Sequence, residues 1–154
     1  MATRKVSAIA DELTSVVETA SAKMRLLPDA DASIKPAPEK WSKKEILGHL
    51  MDSATNNHQR FIRAQMVDSF ILPGYEQDEW VRRQDYNSKP WAELIDLWSV
   101  YNRHVAHVVR NVPEKELATI GTVGGGEPVT LGFIIEDYLT HLKHHLTQIG
   151  VMDV

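Results

Sequence analysis

The apolar residues of this chain recur at intervals of three and four over four separate stretches. That spacing constrains the fold more than any other feature, because it is the period of one face of an α-helix and not of a strand. The first stretch, from about Ala2 to Leu27, carries Val6, Ile9, Leu13, Val16, Val17, Ala20, Met24 and Leu27. The second runs from Ser42 to about Ser69 through Ile46, Leu47, Leu50, Ala54, Phe61, Ile62 and Met66. Its start signal is explicit: Ser42 can cap the free amides while Glu45, three residues on, reaches back, with Trp41 and Ile46 placed as a hydrophobic staple. The third opens at Ser88-Lys89-Pro90, a capping residue followed by a proline in the first turn. Its stripe is Trp91, Leu94, Ile95, Trp98, Tyr101, Val105 and Val108, and Pro113 stops it. The fourth, capped by Thr130, buries Ile134, Ile135, Tyr138, Leu142, Leu146 and Ile149 and ends at Gly150. Four such faces without a convincing strand pair predict an all-α four-helix bundle.

The connections carry less information. Pro28 to Lys40 is a proline-rich loop, and Ile71 to Lys89 is a long connection with a short helix inside it. Glu114 to Val129 contains Gly124-Gly125-Gly126 and reads as a loop or a small ribbon; the Lys and Ser/Thr of a phosphate-binding loop are missing beside that triplet. Tyr75 to Trp80 either lines the lip of a pocket or covers the end of the bundle. A length of 154 residues fits one domain spanning 1–154 around one core, and 43% hydrophobic with 25% charged residues is the composition of a packed globular protein. With 17 Lys and Arg against 21 Asp and Glu, the net charge is -4, which speaks against nucleic acid as a partner. No apolar run approaches the roughly 20 residues that cross a bilayer, and the N-terminal segment lacks the apolar core of a signal peptide, so a cytoplasmic location without membrane attachment is expected. There are no cysteines; any nucleophilic sulfur has to come from a small molecule.

Seven histidines stand at 49, 58, 104, 107, 141, 144 and 145. His141 and His145 are one helical turn apart, about 6 Å at Cβ, on a face they share with Tyr138, Leu142, Leu146 and Ile149, and so can meet one metal ion. His144 points toward the wetter side with Asp137, Thr140 and Gln148. Two imidazoles make a weak site. The third ligand is expected from His49, early in the second helix beside Ile46 and Leu50, with Glu45 or Asp52 placed to orient its second ring nitrogen. Three histidines with open positions form the ligand set of a catalytic divalent metal, whether zinc, nickel, iron or manganese. Core histidines satisfied by hydrogen bonds are the competing explanation. Leu142 follows His141, so the His-Glu-x-x-His of zinc peptidases is absent. His58, His104 and His107 are read as surface or interhelical residues.

The segment Trp41 to Leu50 with its His49-Leu50, the residues Asn57 to Phe61, and Tyr138 to Ile149 with its His-x-x-x-His-x-x-Gln resemble the DinB-like superfamily, which includes bacillithiol transferases and mycothiol-dependent isomerases. The resemblance covers essentially the whole chain in the order and length of its helices. It implies an up-up-down-down bundle with a long crossover connection, a homodimer, and a divalent metal on His49, His141 and His145. It further implies an enzyme that acts on a small molecule, in which the metal activates a low-molecular-weight thiol for transfer to an electrophile; Gln148, three residues after His145, reaches by its spacing either the ligands or solvent. Two alternatives stand beside it: a hydrolase using metal-activated water, and a non-catalytic dimeric stress-response module with structural histidines.

Overall fold

The computed structural model describes residues 4–153. In chain order they form α1 (Val6–Met24), α2 (Asp29–Ala32), α3 (Lys43–Ala64), β1 (Ser69–Leu72), α4 (Gln77–Gln84), α5 (Trp91–Arg110), β2 (Ile120–Val123), β3 (Val129–Thr130) and α6 (Leu131–Ile149). The four long helices, α1, α3, α5 and α6, are the four stretches of helical period and make the bundle expected from them. Ala2, where the first stretch was expected to begin, lies outside the described residues.

The local signals act where they were read, with one exception. Ser42 Oγ accepts from the Glu45 amide (3.1 Å) and Glu45 Oε1 accepts from the Ser42 amide (2.9 Å), closing the capping box of α3. Thr130 Oγ1 accepts from the Phe133 amide at the start of α6, and Gly150 ends that helix at φ 93°, in the left-handed region that glycine adopts without strain. The exception is α5. Ser88 turns back to the Asp85 carbonyl, and the Trp91 amide instead donates to Asp29 Oδ2 (2.8 Å), reached from α2. A carboxylate at the positive end of a helix does the work of a local cap.

Helix directions follow from the contacts. Arg25 pairs with Asp96 and Asp11 with Arg110, so α1 and α5 are antiparallel. Ser42 meets Asn87 while His58 meets Tyr101, so α3 and α5 run in parallel. His49 faces His141, making α3 and α6 antiparallel, and Arg4 with Glu136 and Glu12 with Lys143 make α1 and α6 parallel. The order is therefore up-down-down-up, in place of the up-up-down-down order implied by the resemblance. The reason lies in Asp29, which holds Lys44 at the start of α3 and Trp91 at the start of α5. The end of α1 and the starts of α3 and α5 share one end of the bundle, so the chain turns back directly into α3. It must then return along the whole bundle through residues 65–90 before α5 begins.

That return path and the α5–α6 connection meet in a small sheet; its β2–β3 pair is the small ribbon allowed for in the Glu114 to Val129 connection, whereas the pairing of β1 was not expected from the sequence. The second stretch stops being helical at Ala64 and not near Ser69. Ser69–Leu72 pairs in parallel with Ile120–Val123, and β3 joins β2 antiparallel. Phe70 and Leu72 are buried while Ser69 and Ile71 face out, the two-residue period of a strand. A Cβ on Gly121 would stand 2.1 Å from the Phe70 carbonyl oxygen, so this strand pair requires a glycine there. The core runs through the bundle around Trp98, Phe61, Leu47, Leu94, Ile95, Leu131 and Ile135. Within it the Tyr138 hydroxyl donates to Asn102 Oδ1 and Asn102 Nδ2 to the Trp98 carbonyl, while Trp98 Nε1 is buried without a partner.

Candidate metal centre

Because α3 and α6 are antiparallel, the second turn of α3 lies against the last turns of α6, and His49 meets His141 and His145 there. His49 Nε2 and His141 Nε2 are 3.1 Å apart, and one nitrogen from each of the three rings lies within 4.8 Å of the others. The ring centroids are 4.5 to 5.0 Å apart. Trp41, the residue before the capping box, lies with its ring 5.0 Å from His49 and closes that end.

The electrostatics hold the three rings in the ligand form. Burial, reinforced by the neighbouring imidazoles, lowers His49 to about 3 and His141 to about 4. Burial also lowers His145, against the opposing effect of its hydrogen bond to Gln148. All three are neutral near pH 7, as a metal-binding imidazole must be. Gln148 Oε1 lies 2.8 Å from His145 Nδ1. With an amide oxygen as acceptor, Nδ1 carries the proton and Nε2 keeps its lone pair.

The donor set fits a cation. Ligands about 2.0–2.1 Å from a tetrahedral ion stand about 3.3 Å from one another, close to the observed separation of the two Nε2 atoms. Three converging neutral nitrogens leave more acceptor capacity at one point than their own N–H groups can fill. His49 Nδ1 is buried without a hydrogen-bond partner, so nothing beyond packing fixes that ring on its far side.

Two expected neighbours are elsewhere. Glu45 is engaged by the Ser42 amide and by Lys35 Nζ. Asp52 Oδ1 accepts from the Tyr86 hydroxyl (2.6 Å) and from Gln84 Nε2 (2.8 Å), and burial pushes its carboxyl up. Neither orients His49; a residue three or four positions away on a helix shares its face but has better partners across the connection. His144 is exposed. His58 Nδ1 lies 2.7 Å from the Tyr101 hydroxyl, with His104 and His107 following along α5, and none of these joins the cluster.

A cleft of about 250 Å³ opens beside the cluster, with His141 itself in its wall. Ser53, Asn57 and Arg60 line it from α3, Ile134, Asp137 and Tyr138 from α6, and Tyr75, Val123, Glu127 and Val129 from the connections. Tyr75 thus belongs to the lip of a pocket, one of its two expected roles. A wider open groove beyond Trp41 and Ile46 reaches Gln148 but no histidine of the cluster. Ser53, Asn57 and Arg60 follow His49 by four, eight and eleven residues, a single helical stripe that sequence could have revealed. The loop residues carry no comparable signal.

A model of the DinB superfamily matches residues 11–149. A putative metal-dependent hydrolase of Halalkalibacterium halodurans is 26% identical over 109 residues, covering 71% of this chain and 63% of that protein. One of Oceanobacillus iheyensis is 24% identical over the same length and shares. The matched stretch thus spans under two thirds of these relatives. Among solved structures, YfiT from Bacillus subtilis, described as a probable metal-dependent hydrolase with an unusual four-helix bundle topology, aligns with a TM-score of 0.76 at 19% identity, covering 92% of this chain and 83% of that one. A mycothiol-dependent maleylpyruvate isomerase aligns with a TM-score of 0.76 at 13% identity, covering 97% of this chain and 61% of that one. At these identities the structural likeness establishes the fold alone.

Proposed function

This chain belongs to the DinB superfamily, and on that premise we propose that it is a metal-dependent enzyme in which His49, His141 and His145 hold one divalent ion and a small thiol bound beside them attacks an electrophile. The observation that carries this reading is the convergence of three neutral imidazoles at the wall of a cleft. A divalent ion bound there supplies positive charge that lowers the pKa of a thiol or water placed against it. The chain's own residues do the rest. Gln148 holds His145 in one tautomer, burial keeps the ligands unprotonated, and the apolar walls Val123, Val129 and Ile134 keep bulk water from part of the cleft.

A thiol suits the site because it is acidic enough to need no separate base, and among the described residues no carboxylate is hydrogen-bonded to the three histidines. The chain has no cysteine, so the sulfur is a small molecule's. One observation favours hydrolysis as the second reading: Asp137, one turn before His141, lines the cleft and could take a proton from water.

Metal content of the untagged protein, measured beside the His49→Ala, His141→Ala and His145→Ala variants, tests the site. One ion per chain, lost in each variant, is expected. Thiol conjugation to a panel of electrophiles then separates the two readings. Turnover that requires added thiol and survives Asp137→Asn supports transfer; ester turnover without thiol, abolished by Asp137→Asn, replaces it with hydrolysis. A parent protein that holds no ion after incubation with zinc, nickel, iron and manganese overturns both.

A further inference from the structure

The cleft holds one cation that the site chemistry leaves unexplained. Arg60, on the His49 stripe of α3, is half-buried and lines the cleft opposite the α6 wall. Its guanidinium carbon lies 5.6 Å from the centroid of the Tyr75 ring. Its one hydrogen bond is a long contact from an Nη to the Pro73 carbonyl (3.4 Å), and it has no ion pair among the described residues. A guanidinium carries five N–H donors in a planar fork, so most of this one's capacity is unused. Burial disfavours its charged form, with desolvation as the main cause. A partly desolvated arginine without a carboxylate is costly unless a ligand completes it. Arg4, Arg25, Arg82, Arg83 and Arg110 sit against carboxylates, and Arg63 and Arg103, which like Arg60 have no ion pair among the described residues, are exposed to water.

We infer that Arg60 is the anchor for an oxyanion, so that the substrate of this cleft is a small molecule bearing a carboxylate or phosphate group at the end away from His141. Tyr75 holds the guanidinium plane by cation–π contact, which leaves the fork free to meet two oxygens at once. Asn57 and Ser53 lie between Arg60 and His49 on the same helical stripe and supply neutral polar groups along the way. Asn57 Nδ2 already donates to the Ser53 carbonyl (2.8 Å), which leaves its amide oxygen as the group available to a ligand. Glu127 and Asp137 are exposed at the edge of the cleft and select against a second anionic group near the opening, so a substrate with one such group is favoured over one with several. A volume of about 250 Å³ lies below the roughly 300–1,000 Å³ of pockets for drug-sized ligands, in keeping with a small substrate.

The inference rests on reading this cleft as the substrate site but not on the metal, and the experiment separates the two. Binding of benzoate, phenylphosphonate and neutral benzamide is measured by calorimetry on the 154-residue chain, with and without one equivalent of zinc. Parallel titrations use Arg60→Gln and Arg60→Lys. In the zinc-free protein one of the anions should bind at least about tenfold tighter than benzamide, the preferred anion identifying the oxyanion. Arg60→Gln should abolish that preference without lowering the melting temperature, and Arg60→Lys should retain part of it. Equal binding of benzamide and both anions, or an anion preference that survives Arg60→Gln, overturns the inference. Failure to bind zinc with the Arg60-dependent preference intact overturns the metal-dependent reading alone.

Discussion

Gly48 and Tyr86 illustrate how single atoms fix the ligand helix. Tyr86 lies flat over Gly48, so closely that a Cβ there would stand 2.1 Å from its ring, and its hydroxyl reaches past to Asp52. Gly48→Ala forces that ring aside and should cost about 1–3 kcal/mol, read by denaturant unfolding. Tyr138→Phe leaves Asn102 Oδ1 buried without its donor and should cost about 1–3 kcal/mol in the same measurement. At the site, Gln148 is exposed and contributes little to packing, but it alone fixes the His145 tautomer. Gln148→Leu should weaken metal binding about 10- to 100-fold, measured by competition with a chromophoric chelator, while the stability of the metal-free protein stays unchanged. The His-x-x-x-His spacing was legible in sequence because it is local to one helix, whereas the spacing of Gln148 left its side chain open between the site and solvent. Glu45 was legible as the capping-box partner of Ser42, but its contact with Lys35 and the hold of Gln84 and Tyr86 on Asp52 were not, since those three come from segments without a period.

At the level of elements, the seam between α1 and α6 is held by charge. Lys143 and then Arg4 hold the Glu12 carboxyl below its ordinary value of 4.5. A depressed carboxyl stabilises the fold above that value, and the contribution fades as pH falls through the lower folded value. Glu12→Gln should therefore lower the melting temperature at pH 7, and the gap to the parent should close progressively below pH 4.5. A gap independent of pH would mean that Glu12 acts by packing. The same scale explains the missed strand. Ser69–Leu72 has only four residues, follows a helical stripe without a break, and pairs with a segment some fifty positions away, so nothing local distinguishes it from the end of a helix.

For the whole molecule, the three ligands come from two helices whose approach depends on the rest of the bundle, so an ion bound there links the start of α3 to the end of α6. Ligand that binds only the folded state adds about 2.7 kcal/mol at a hundred times its dissociation constant, and for a chain of this length that is roughly 5–10 °C in melting temperature. Differential scanning calorimetry with and without zinc should register this rise in the parent and none in His49→Ala. An equal rise in both would place the ion elsewhere on the protein.

The sequence by itself determined the number of long helices, their inward faces apart from Ile62 and Met66, which are exposed, the caps at Ser42, Thr130 and Gly150, and the alignment of His141 with His145, because each is set by residues within one or two turns of one another. Tertiary structure decided the rest. Helix direction depends on Asp29 tying two helix starts to one end of the bundle, and the sheet depends on β1 finding β2. The cleft exists because Tyr75, Val123 and Val129 are carried to α3 and α6 by connections whose sequences have no period. The distance between His49 and His141 is likewise a property of two packed helices, for periodicity fixes which face of a helix is buried and leaves open what it is buried against.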